Sequence, residues 1–204
     1  MGSSYTLAPT AFKIPFYSPT MLKGGLKHMA SSFYFDHYDV GSSKGINTKT
    51  TSDKEDVFLA RNASRIAEKM ETVGNCYTGT KYALLDAGVI DKYSDMPKGS
   101  AKDANTYFTS KPEKFQKITK ADGSNFTTAD LEKLPAGHIL VFSKPGTHGH
   151  IAITNGNGQG MSDSFDNMKW LDEKGSGANV SVFKLTDGWK YDPSTKKLTF
   201  TPTK

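Results

Sequence analysis

Two short apolar runs around a Pro-Gly turn constrain this chain more than any other feature. Residues 139–142 (Ile-Leu-Val-Phe) and 150–154 (His-Ile-Ala-Ile-Thr) flank Lys144-Pro145-Gly146-Thr147. Each run has strand length and is bounded by turn formers, as antiparallel partners require. The second leads straight into Asn155-Gly156-Asn157-Gly158, a strong hairpin signal. Residues 161–165 are expected to return antiparallel beside it. Residues 180–185, 189–191 and 197–201, the last two around an Asp192-Pro193 turn, are expected to complete one small antiparallel sheet.

Upstream the periodicity changes. Val57, Phe58, Ala60, Ile66, Ala67, Met70 and Val73 recur near 3.6 residues, and Asp53, Glu55 and Asp56 suit the start of that helix. Gly74 is expected to stop it. A second helix should run over 77–86, opened by Cys76, turned inward at Ala83, Leu84 and Leu85, and ended by Gly88. Residues 100–109 and 112–118 read as short helical pieces, and Thr127 or Thr128 caps another over 129–133. Helices first and strands afterwards point to an α+β domain over residues 55–204. Residues 1–54 differ in kind: Pro9, Phe12, Pro15, Phe16, Tyr17 and Pro19 precede Phe33-Tyr34-Phe35 and Tyr38, and a Ser/Thr/Gly/Lys linker follows over 41–53. Such an extension is expected to pack on the domain through its aromatics rather than to fold alone.

Composition narrows the classes. Hydrophobic residues make up 36% of the 204 and the mean hydropathy is −0.53, so a loop-rich domain with a modest core is expected and no membrane span. The start, Met1-Gly2-Ser3-Ser4-Tyr5, has no charged and then apolar run, so it does not read as a signal peptide. One cysteine excludes an internal disulfide framework and any multi-thiolate zinc site. The net charge of +5 favours an anionic partner. The lysines are scattered without interleaved aromatics, which speaks against nucleic acid. Asp163, Asp166 and Asn167 lack the Gly and Glu of a calcium loop, and residues 155–158 lack the Gly-Lys-Ser/Thr of a phosphate loop.

A lone thiol is either a small buried apolar side chain or a reactive group. At a helix N-terminus the backbone N–H groups and the dipole favour the thiolate, so the pKa of Cys76 is expected to fall. The same N–H groups can hold an oxyanion, and an imidazole brought near by the fold can take and return the proton. His150, directly ahead of the Ile-Ala-Ile run, is preferred for that role over His148; His28 and His37 lie in the arm.

Taken in order, Asn75-Cys76-Tyr77 at a helix start, Leu134-Pro135-x-Gly137-x-Ile139-x-Val141-Phe142, and Gly149-His150-Ile151-Ala152-Ile153 before an Asn-Gly turn resemble the core of the CHAP and NlpC-type cysteine peptidases. These are papain-like peptidoglycan amidases and endopeptidases, a group to which phage lysins and type VI secretion amidase effectors are similar. The resemblance covers about residues 55–170. It implies a papain-like core with N-terminal helices packed on a small antiparallel sheet, and it casts Cys76 as nucleophile and His150 as base and acid. A third polar residue from the following strand orients the imidazole; Asp163 is preferred, with Asp166 and Asn167 in reserve, since alternating strand faces keep Ser162 and Asp163 from both pointing at His150. Asn75, Tyr77, His148 and Ser162 are expected to contact substrate. His138 departs from the pattern, standing where the family carries Asp, and the arm over 1–54 has no counterpart in it.

The resemblance further implies a monomer that needs no metal or cofactor and cleaves an amide in the peptide stems of peptidoglycan. It is made in the cytoplasm and delivered to the wall by a secretion machine or phage lysis, with a cognate immunity protein or inhibitor as a partner in the toxin case. The same machinery would serve a deamidase, transglutaminase or protease toxin acting on protein. A non-enzymatic wall-binding or virion module, with Cys76 merely buried, is the third alternative.

Overall fold

Helices lead and an antiparallel sheet follows in a computed structural model that describes residues 45–47, 53–168 and 179–202. Helix α1 (Lys54–Met70) begins at Asp53 and carries Glu55 and Asp56 in its first turn. It buries Leu59, Ala60, Ala63, Ile66 and Ala67, the stripe its 3.6-residue period requires. It ends at Met70, four positions before Gly74. Glu71 adopts a left-handed conformation (φ 43°) and donates to Ala67 O, while the Thr72 N–H turns to Asp163 O. With that donor committed elsewhere the helical ladder cannot continue through Val73, which is left 82% exposed.

Helix α2 (Cys76–Ala87) starts at the cysteine and closes on Gly88 at φ 81°. Arg65 of α1 binds Asp86 of α2 at 2.8 Å. A 3-10 turn (Ala101–Asp103) runs into the short α3 (Ala104–Thr109). Residues 112–118, expected to be helical, instead make a turn and then strand β1 (Phe115–Ile118). The reason is tertiary: Phe115 is buried against Phe108 and Phe183, and the backbone pairs with a distant strand over 115–118. Thr127 caps α4 (Thr128–Leu131), its hydroxyl accepting from the Asp130 N–H.

Strands β2 (Ile139–Ser143), β3 (His150–Thr154), β4 (Gln159–Met161), β5 (Phe165–Asn167) and β6 (Asn179–Leu185) join β1 in one sheet of order β1-β6-β2-β3-β4-β5, all neighbours antiparallel. The central strand β2 is apolar at successive positions because both its faces are covered. Ile139 and Val141 join Ile151, Ile153 and Phe183 beneath the helices; Leu140 and Phe142 join Leu131, Met168 and Val182 on the other side. The return from the hairpin is shorter than expected: Met161 ends β4, and residues 162–164 turn before β5. β7 (Trp189–Asp192) and β8 (Lys197–Phe200) pair with each other as a separate two-stranded sheet instead of extending the large one.

The turn ahead of β2 presses on α1. At Gly137 (φ 91°) a Cβ would lie 2.3 Å from Asp56 O, so only glycine fits. The Asp56 side chain is 1% exposed there, and its Oδ1 has no hydrogen-bond partner. Burial, with Asp53 adding to it, pushes this carboxyl up to about 7. Of the arm expected over 1–54, residues 45–47 border the hairpin, where Asn47 N donates to Asn155 O and Asn157 Nδ2 to Gly45 O. Most of the rest, including His28, His37 and the aromatics over 33–38, lies outside the described residues. No helix among the described residues is long and apolar enough to cross a membrane.

Candidate active site

The residue just ahead of Cys76 is held in place from 88 positions away. The connector between α1 and α2, residues 71–75, is tied to the turn between β4 and β5 by one side chain, Asp163. Its Oδ2 accepts the Asn75 N–H at 2.7 Å and the Thr72 hydroxyl at 3.1 Å, and its Oδ1 accepts the Ser162 hydroxyl at 3.0 Å. The Asp163 carbonyl adds the Thr72 N–H bond at 3.0 Å. Asp163 is 2% exposed, so the carboxylate end of these charge-assisted bonds is buried, fully so for the one to Ser162. Gly79, in the first turn of α2, makes the approach possible: a Cβ there would meet Ser162 O at 2.5 Å and Asp163 N at 2.6 Å.

The thiol faces the start of β3. The backbone amides of Ile151 and Tyr77 act on it electrostatically, and Thr80 of the same helix reaches Ile151 O at 3.5 Å. His150, adjacent to Ile151, opens β3 with a side chain 20% exposed and its ring centroid 5.9 Å from that of Phe142. Its Nε2 lies 3.8 Å from Asp166 Oδ2, on β5. Sequence reasoning preferred Asp163 beside the imidazole. The side-chain hydrogen bonds of Asp163 go to Thr72, Asn75 and Ser162 while its charge still acts on the imidazole, and the reserve candidate Asp166 lies 3.8 Å from Nε2, beyond hydrogen-bond distance. Residues 162 and 163 lie in a turn, outside any strand, so strand alternation does not sort them; both are turned inward and buried. Asn167, the other reserve, is exposed at the end of β5.

The electrostatics correct one expectation. The thiol pKa was expected to fall at the helix start, but burial pushes it up. The amides of Ile151 and Tyr77 pull it down, and Asp163 and Asp166 push it up again. Burial likewise lowers His150, to about 4, and the nearby Asp163 charge only partly offsets this. At neutral pH the two therefore rest as thiol and neutral imidazole, and not as a preformed ion pair.

Both groups line one cleft of about 670 Å³. Asn75, Tyr77 and His148 line it as well, whereas Ser162 sits buried behind Asp163, 1% exposed, and does not. His148 Nδ1 is 2.9 Å from Ser100 Oγ on the rim. Tyr77 donates its hydroxyl to Pro97 O at 2.9 Å, and burial pushes that phenol up to about 12. Beside it stand Lys81 and Tyr93, which the sequence reading did not single out. A signal for Lys81 was present: it falls one turn after Tyr77, just ahead of the inward-facing Ala83-Leu84-Leu85. Among the described residues, no group of three or more His, Cys, Asp or Glu is arranged to hold a metal ion.

Compared with family models, curated proteins and solved structures, the chain shows no match.

Proposed function

We propose that the chain is a cysteine hydrolase of papain-like arrangement that cleaves an amide bond in the peptide part of peptidoglycan. One observation carries the reading: Cys76 at the start of α2 and His150 at the start of β3 line the same cleft, with Asp166 3.8 Å from Nε2 of the imidazole. In this reading the His150 imidazole, with Asp166 near its Nε2, takes the thiol proton. The sulfur attacks the substrate carbonyl as that proton passes to His150. First-turn amides of α2, which have no intrahelical acceptor, are the donors available to the oxyanion. His150 then protonates the departing amine, leaving a thioester. Water, deprotonated by His150, opens the thioester to a carboxylic acid and restores the thiol. Asp163 acts at one remove by fixing the connector that ends at Cys76.

The peptidoglycan assignment rests on the ordered motifs and on the net charge of +5, which suits an anionic wall. Digestion of purified sacculi tests it. The wild-type chain is expected to release soluble fragments with new amine termini, and Cys76→Ala and His150→Ala to release none while keeping the wild-type circular dichroism. Full lytic activity in either variant would refute the mechanism. Intact sacculi after prolonged wild-type digestion would refute the substrate and favour a protein target.

A further inference from the structure

The cleft wall holds a buried cation that the proposed chemistry does not use. Lys81 lies on α2 and is 4% exposed, yet it lines the cleft together with Cys76. Its ammonium donates to Pro97 O at 2.8 Å and reaches Met96 O at 3.5 Å. It sits 4.1 Å from the centroid of the Tyr77 ring and 4.7 Å from that of Tyr93. All four partners are neutral. No carboxylate among the described residues forms an ion pair with it, and burial alone lowers its pKa.

Burying an ammonium among neutral groups is costly, and a methionine could cover the same two rings without that cost. An ammonium has three protons, and only the Pro97 bond is short. A positive charge with donor capacity to spare is thus fixed in the wall of the cleft. Asp163 and Asp166 line the same cleft, which disfavours a dianion such as phosphate there. A single carboxylate meets both conditions. Along α2 the five residues from Cys76 to Lys81 rise by about 7.5 Å, close to two residues of extended peptide.

We propose that Lys81 is the carboxylate subsite of this cleft, receiving the carboxylate of a peptide about two residues from the amide presented to Cys76. The inference rests on the reading of the cleft as a peptide-hydrolysing site, but its test requires no turnover. The full chain, carrying ¹³C-labelled lysine, is titrated with N-acetylalanine and, separately, with N-acetylalaninamide. The Lys81 ¹³Cε–¹Hε signal is assigned by its absence in Lys81→Met. The expected result is a saturable shift of that signal, and of the Tyr77 and Tyr93 ring signals, with the acid and not with the amide. In Lys81→Met the tyrosine shifts should vanish. No shift with the acid, or equal shifts with acid and amide, overturns the proposal. So does a tyrosine response to the acid that survives in Lys81→Met, which would move the anion to another cation such as Lys98 on the rim. Should Lys81→Met fail to fold, Lys81→Arg supplies the assignment, and the acid-against-amide comparison in the unmutated chain then decides. Loss of wall hydrolysis in Cys76→Ala bears on the catalytic reading alone.

Discussion

Removing the Asp163 carboxylate should loosen the setting of Cys76 and unsettle the fold, and two substitutions separate the causes. In Asp163→Ala the Asn75 N–H, the Thr72 hydroxyl and the Ser162 hydroxyl all lose their acceptor. Hydrogen bonds to a charged group contribute about 1.5–3 kcal/mol each. The three do not add in full, because Asn75 is exposed and Thr72 half-buried, so water can replace the lost oxygen there. Ser162 is 1% exposed and would be stranded. The net loss should be about 3–5 kcal/mol, in the range for breaking a buried polar network. Asp163→Asn keeps an oxygen for Asn75 and Thr72, and its amide can donate to Ser162 once that hydroxyl rotates. Only charge assistance is lost, at about 1–2 kcal/mol. Urea denaturation followed by tryptophan fluorescence measures both; at roughly 2 kcal/mol per molar, the alanine midpoint should fall by about 2 M and the asparagine midpoint by less than 1 M. Iodoacetamide labelling of Cys76 should change in the alanine variant and stay close to wild type in the asparagine one. An alanine variant within about 1 kcal/mol of wild type, or an asparagine variant as damaged as alanine, would refute the account of Asp163 as a clamp made of hydrogen bonds.

Other outcomes follow from the same geometry. Because His150 must be neutral to take a proton and its folded pKa is held at about 4, the acid limb of kcat/KM should fall near pH 4; a limb near 6.5 would show an imidazole far more solvated than this one. The same depression means that stability is full above the unfolded value of 6.5 and is lost as pH falls towards 4, by at most about 3 kcal/mol, and His150→Gln should flatten that slope. Asp56 has the opposite sign: its folded pKa is raised from 3.8 to about 7, so stability declines as pH rises through that window, and thermal unfolding should show Asp56→Asn gaining on wild type at pH 8 relative to pH 5. Gly79→Ala should destabilise by about 1–3 kcal/mol, since the about 1 kcal/mol gained in helix propensity cannot offset a Cβ 2.5 Å from Ser162 O; a stabilised variant in calorimetry would show the β4–β5 turn to be free to move.

Local patterns carried much of this architecture. The two apolar runs became β2 and β3, and the second kept the expected bounds, His150–Thr154. Both are fixed by turn chemistry and alternation that any few residues display. What escaped was decided at long range. Phe115 lies in a strand because Leu185, 70 positions on, pairs with it. The halt of α1 at Met70, short of Gly74, depends on Asp163 taking the Thr72 N–H, which no window around residue 70 contains. For the site, residue types and order sufficed to single out Cys76 and His150, which share the cleft. The division of labour between Asp163 and Asp166 did not show in sequence, because it turns on whether residues 162–164 are strand or turn. The direction of the thiol pKa was misread for a related reason: the helix start is a local feature, whereas the burial that outweighs it comes from β3 and the β4–β5 turn.

The bond from Asp163 to Asn75 also sets an order of events. Its two ends are separated by 88 positions, so the connector that presents Cys76 has no anchor until β4 and the turn after it exist. A nascent chain that has made both helices but not yet residue 163 carries the cysteine without its scaffold. Such distant closure is slow compared with helix formation. The setting of Cys76 is therefore completed late in the life of the folding chain, and a fragment broken off before β4 would present the thiol without its Asp163 tether.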